Sequence, residues 1–152
     1  MAMTNKVLAV QNAIIAAVNA ITSASAAYNH DLNGGLKFGH PNADEVIGGL
    51  PEVYLTTLNE EAPIRPTNTM RKRLTYTLVG VTGAQVKFDD VGTDTLKLAA
   101  DIEKSILTDV TLGSVVDYTR MESMRVEYFG EPTKGFVTLE FYSEYAVTVG
   151  TP

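Results

Sequence analysis

Two histidines, His30 and His40, share a short stretch with Asp31, Asp44 and Glu45. Imidazole and carboxylate are the side chains that ligate zinc, but this spacing matches no ligand pattern such as H-E-x-x-H. The ordinary reading is a polar loop that faces solvent, so no metal-ligating residue is assigned. Nucleophilic chemistry has equally little to work with. The chain has no cysteine, no G-x-S-x-G elbow, and no serine signature beside either histidine. Gly34-Gly35 and Gly48-Gly49 form neither a G-x-G-x-x-G fingerprint nor a P-loop, and neither pair joins a strand to a helix. The carboxylate pairs Glu60-Glu61 and Asp89-Asp90 fall at expected turns or strand ends, where solvated charge is the common outcome. The expectation is a protein that is not an enzyme, with no catalytic, cofactor-binding or metal residues and no cofactor.

The remaining chemistry-bearing run is basic: Arg71-Lys72-Arg73, with Arg65 nearby. Phosphate contact would suit four cations, but no aromatics are interleaved and the chain as a whole is acidic, so sequence-specific DNA binding is not expected. Two readings stay open. The run is a strand end kept soluble by its charge, or Arg71 and Arg73 meet carboxylates of a neighbouring subunit, where a planar guanidinium is favoured over an ammonium.

These residues must be positioned by elements read from hydrophobic period. Val7, Val10, Ile14, Val18, Ile21 and Ala24 recur at three- and four-residue steps after a possible Thr4 N-cap, which predicts a helix over about 5–27. Its Ala- and Ile-rich stretch is interrupted by polar residues and lacks a basic leader, so it reads as a soluble helix and not as a membrane or signal segment. Leu98, Ile102 and Ile106 predict a second helix over about 95–109, ended near Gly113. Alternation predicts strands over 52–58 and 70–82. In the second of these, Lys72, Leu74, Tyr76 and Leu78 share one face and Arg71, Arg73, Thr75, Thr77, Val79 and Val81 the other. Pro63 and Pro66 are expected in the connection, outside the ladder.

Val116 to Phe129 and Phe136 to Val149 flank the turn-rich segment 130–135, which predicts a long hairpin. Pairing Phe129 with Phe136 would set Val126 against Leu139, Met124 against Phe141 and Arg125 against Glu140. The second strand also carries Phe136 and Tyr142 on its outer face, more apolar surface than solvent exposure requires. Arg71, Arg73, Phe136 and Tyr142 are therefore the candidate subunit interface.

Asn29 to Leu50 holds five of the chain's twelve glycines, together with Leu36, Phe38, Val46 and Ile47. A long loop with scattered hydrophobics is expected to order against a partner, and these four residues are its candidate contacts. The order of elements predicts an α+β fold: a mostly antiparallel sheet of about four strands, two helices packed on one face, and a long C-terminal β-hairpin.

At 152 residues, 45% hydrophobic and 20% charged, the chain suits a single domain over 1–152 with one core. Eighteen acidic against twelve basic residues give a net charge of −6, which disfavours anionic membranes and nucleic acid as partners. The absence of cysteine fits a reducing cytosol.

The segment Leu96 to Gly113, followed by the hairpin that ends in Phe141-Tyr142-Ser143-Glu144-Tyr145, resembles the C-terminal half of tail terminator (tail completion) proteins of long-tailed bacteriophages. The N-terminal helix, loop and strand are similar to that family as well. What the resemblance implies is a structural virion protein, made in the host cytoplasm and located at the head–tail junction. It would form a homohexameric ring on the tail tube, end tube polymerisation and offer the surface for head attachment. Its partners would be itself, the tail tube protein and a head–tail connector or neck protein, with DNA passing through the channel unbound and no membrane involved. Another ring-forming connector or neck protein shares most of these features, and a small ligand-binding domain is the remaining alternative.

Overall fold

The computed structural model describes residues 6–22, 24, 27–32, 35–41, 51–64, 69–83, 91–130 and 133–148. The elements are helix α1 (Lys6–Asn19), strands β1 (Leu36–Phe38), β2 (Glu52–Ile64) and β3 (Thr69–Thr82), helix α2 (Val91–Leu107), and strands β4 (Tyr118–Phe129) and β5 (Lys134–Thr148). They form an α+β fold with a five-stranded open sheet in the order β1-β2-β3-β5-β4, in which β1 runs parallel to β2 and every other pair is antiparallel. The expected four strands are thus five, and the sheet is mixed. Leu36-Lys37-Phe38 is too short to display an alternation, and its pairing comes from the edge of β2, not from its own pattern.

Leu74, Tyr76 and Leu78 of β3, Val53 and Leu55 of β2, and Val137, Leu139, Phe141 and Tyr145 of β5 make one buried face. Helix α2 lies on it with Leu98, Ala99, Ile102 and Ile106 inward. The backbone of β3 approaches so closely that a Cβ on Gly80 would sit 2.8 Å from Leu98 and 2.9 Å from Ile102. The hydroxyls of Thr82 and Thr95 meet at 2.7 Å beneath the same helix. Helix α1 adds Val10, Ile14 and Val18 to this core. Neither helix is long and apolar enough to cross a membrane.

Helix α1 stops at Asn19, eight residues before the expected end near 27. Ala20 and Ile21 donate to carbonyls three residues back, which tightens the last turn, and Asn19 Oδ1 accepts the Leu36 amide at 2.8 Å, anchoring β1. The Ser- and Thr-bearing stretch that follows competes with helical bonds, as the Thr22 hydroxyl does by accepting the Ala24 amide. Helix α2 instead starts four residues earlier than expected, at Val91. Strand β2 runs past the expected end at Leu58 and includes Pro63, where the β2–β3 register breaks between Glu61 and Ile64. Proline is tolerated at such an irregularity because no regular ladder bond is demanded of it.

The hairpin of β4 and β5 forms, with a register two residues from the expected one: Phe129 faces Lys134, Val126 faces Val137, Met124 faces Leu139 and Arg125 faces Thr138. A two-residue slip keeps every side chain on its face, so apolar alternation alone does not choose between the two registers. The turn decides, with Gly130 at φ 88°. A bulge between Met121 and Ser123 then resets the pairing nearer the sheet's other end.

Candidate interaction face

Both helices cover the same side of the sheet, and the opposite side carries the four residues expected at a subunit interface. Arg71, Arg73, Phe136 and Tyr142 all point there, because β3 and β5 alternate in register along Arg71↔Ala146, Arg73↔Glu144, Thr75↔Tyr142 and Val81↔Phe136. Arg71, Arg73 and Tyr142 form one cluster; Phe136, expected to be part of an exposed interface, lies toward the other end and is buried, because Phe129, Val79, Val81 and Tyr54 pack around it.

Glu144 organises that cluster. Arg73 donates to its Oε1 through Nη2 at 2.7 Å and Nε at 3.1 Å, Arg71 Nη2 reaches Oε2 at 3.4 Å, and the Tyr118 hydroxyl donates to Oε2. Arg71 Nη1 is also 2.9 Å from Asp117 Oδ2, and Arg73 lies 4.0 Å from Glu122. The Arg73 guanidinium stacks 4.3 Å above the Tyr142 ring, which Tyr118 meets edge-on. The Tyr118 hydroxyl first, then Arg73 and Arg71, hold the Glu144 carboxyl below its ordinary range. The hydrogen bond to Glu144 in turn raises the Tyr118 phenol. The carboxylates expected from a neighbouring subunit are therefore present within the chain itself. Arg71 and Arg73 remain about one-third exposed beside them.

Toward the other end, Val79, Val81 and Phe136 form a small separate apolar cluster with Tyr54 against it, and Phe129 packs edge-on to Phe136 at 5.5 Å. The Tyr54 hydroxyl donates to Glu52, and burial followed by that carboxylate pushes the Tyr54 phenol up to about 12. Between the two ends, Thr57 and Thr77 bond across strands at 2.9 Å. The face is thus graded, from charged and aromatic through hydroxyl-bearing to apolar.

The Gly-rich segment is more structured than a free loop where it is described. Leu36 packs against the core, while Phe38 is 58% exposed and Val46 and Ile47 lie outside the described residues. His30, read from sequence as a solvent-facing loop residue, is buried: Nδ1 is 2.8 Å from Asp101 Oδ2 and Nε2 is 2.7 Å from Asp94 Oδ1. Asp101 also accepts the backbone amides of Asn29 and His30 and the Asn29 side chain, which ties this segment onto α2. Asp31 accepts from Thr22, His40 is exposed, and Asp44 and Glu45 lie outside the described residues. Among the described residues, no group of three such side chains is arranged to hold a metal ion.

Among the described residues, two grooves lie beside the helices. One, of about 430 Å³, runs between α1 and the end of α2 over Ala13, Ala17, Ile106 and Leu112. The other, of about 410 Å³, lies under Tyr128 and Phe129 beside Val91 and Gly92.

Sequence reasoning missed Glu144, Asp117, Tyr118 and Glu122 around the arginines, and the Asp94–His30–Asp101 pin. A signal for Glu144 was present: it follows Tyr142 on the same face of β5. No protein-family model matches the chain, and no curated protein matches it.

Proposed function

We propose that this chain is a structural ring protein of a phage particle, a tail terminator that caps the tail tube, ends its polymerisation and presents the surface to which the head attaches. The observation that carries this reading is the sheet face opposite the helices. Four strands of the sheet run twelve to fifteen residues, and among the described residues the helices lie on one side only; the other side bears Arg71, Arg73, Tyr118 and Tyr142, all part-exposed, and exposed Phe129, while Phe136, Val79 and Val81 are buried. Such a face suits contact between copies. Six copies closing in a ring would cover it, with Phe38 and the neighbouring Gly-rich segment set against the adjoining tube or neck ring. Net acidity suits a channel that DNA traverses without adhering. Element order, from the N-terminal helix to the long final hairpin, agrees with the family resemblance read from Leu96–Gly113 and Phe141–Tyr145.

The test is to mix the protein with the tail tube protein of the same phage. Light scattering and negative-stain imaging should show closed sixfold rings seated on tube ends, with tube growth arrested. A chain that stays monomeric at high concentration and leaves tube growth unchanged overturns the reading. Rings that form on the neck side but never on tubes point to a connector instead.

A further inference from the structure

Strand β4 is an edge strand: among the described residues it pairs only with β5, and Arg120, Glu122, Ser123, Met124 and Arg125 along it are exposed. Edge strands are commonly blunted by proline, by charged side chains, by bulges or by a covering element, because their free amides and carbonyls template pairing with another chain. This one has no proline; it carries a bulge and charges of both signs, with Arg125 2.8 Å from Glu127 of the same strand, and it ends in exposed Tyr128 and Phe129, so a copy that matches its bulge and its charges can still pair with it.

Its charge pattern, read together with its bulge, is self-complementary. The bulge changes which residues face which side. Tyr118 and Arg120 before it, and Arg125, Glu127 and Phe129 after it, lie on the helix-free face, while Thr119, Met121, Met124, Val126 and Tyr128 lie on the other. When a second β4 is laid antiparallel with Met124 opposite its own copy, every opposed pair lands on a common face. Arg125 meets the bulged Glu122-Ser123 of the other copy, Val126 meets Met121, Glu127 meets Arg120, Tyr128 meets Thr119 and Phe129 meets Tyr118. By symmetry each ion pair occurs twice, giving alternating signs along the seam with no like charges directly opposed. Without the bulge, this register would put residues of opposite faces against each other.

We propose that two copies of the chain join through their β4 edges in this register, making a continuous ten-stranded sheet about a two-fold axis at Met124. The contact uses the edge of the sheet, not its open face, and does not depend on the ring. It gives the free protein a paired form in which the exposed edge is protected.

Two charge-reversed proteins test it by sedimentation of the full chain. One carries Arg120→Glu with Arg125→Glu, the other Glu122→Arg with Glu127→Arg, and all four positions are surface residues. The wild type should sediment as a dimer, each variant alone should dimerise roughly 100-fold more weakly, and a mixture of the two should recover a one-to-one dimer. The register has its own readout. The chain has no cysteine, so Met124→Cys should form an intermolecular disulfide on mild oxidation, whereas Glu127→Cys should not. A wild type that stays monomeric to about 100 µM overturns the proposal, as does an oligomer that survives both reversals or fails to cross-link through position 124. A sixfold ring with unlinked position 124 leaves the terminator reading standing and removes this one.

Discussion

Glu144 carries more of the open face than any residue picked from the sequence. It receives two guanidinium groups and a phenol, and its lowered pKa means that the folded state favours its ionised form. The stability this supplies is fully present above the ordinary carboxylate range and is lost as pH falls through the lowered value. Glu144→Gln should therefore destabilise the chain at pH 7 by about 1–3 kcal/mol, by weakening charge-assisted bonds to partners that stay in place. Urea unfolding measures the gap, which should shrink toward zero in acid once the wild-type carboxyl is protonated. A gap that is the same in acid as at pH 7 would show that Glu144 acts through packing alone. Reversing Arg71 and Arg73 to glutamate should likewise cost stability as well as assembly, since both arginines close an intramolecular network with Glu144 and Asp117. An assembly defect with unchanged unfolding would mean that their main partners lie on another subunit.

Between elements, the tightest fit is that of α2 on the sheet. A Cβ on Gly135 would stand 1.9 Å from the Thr95 hydroxyl, so β5 reaches α2 only because that position has no side chain. Gly135→Ala should lower stability by about 2 kcal/mol or more, seen as a fall in Tm. Adding Thr95→Ala should cost less than the sum of the two changes, because it removes the atom that clashes. Much at this scale was legible beforehand. Leu74, Tyr76 and Leu78 alternate so regularly that the buried face of β3 follows from them alone, and Leu98, Ile102 and Ile106 likewise fix the inner stripe of α2. What escaped depended on partners remote in the chain. Arg73 finds Glu144 across 71 residues, His30 finds Asp101 across another 71, and β1 exists only because β2 offers it an edge. The hairpin register escaped for a different reason, since a two-residue slip leaves both faces intact.

For the whole molecule, the two sheet faces differ: among the described residues both helices lie on one of them. The helix side holds the main core, and the other side holds the small buried cluster of Val79, Val81 and Phe136 at one end and the part-exposed Arg71, Arg73 and Tyr142 at the other. The described part of the Gly-rich segment is pinned by Asp101 around His30 and by the Gly39 amide bonded to the Leu55 carbonyl. If the chain caps a tail tube as proposed, hydrogen exchange over residues 35–41 should slow at least about tenfold on mixing with tube protein, with Phe38 becoming covered. Equal protection in the free and assembled states would detach this segment from assembly.

The strand order has a further consequence for how the chain is made. β5 is synthesised after β4, yet it lies between β3 and β4. A nascent chain emerging from the ribosome holds β2, β3 and both helices for the whole time it takes to translate β4 and β5, with the inner edge of β3 still open. Only when residues 134–148 emerge can the central gap be filled, bringing Val137, Leu139, Phe141 and Tyr145 into the core in one step. A ribosome that stalls before this point leaves a chain with two unpaired inner edges, on β3 and β4, and no middle. The sheet has no centre until residues 134–148 are present, so chains cut short before them should be cleared by proteases while chains that include them escape.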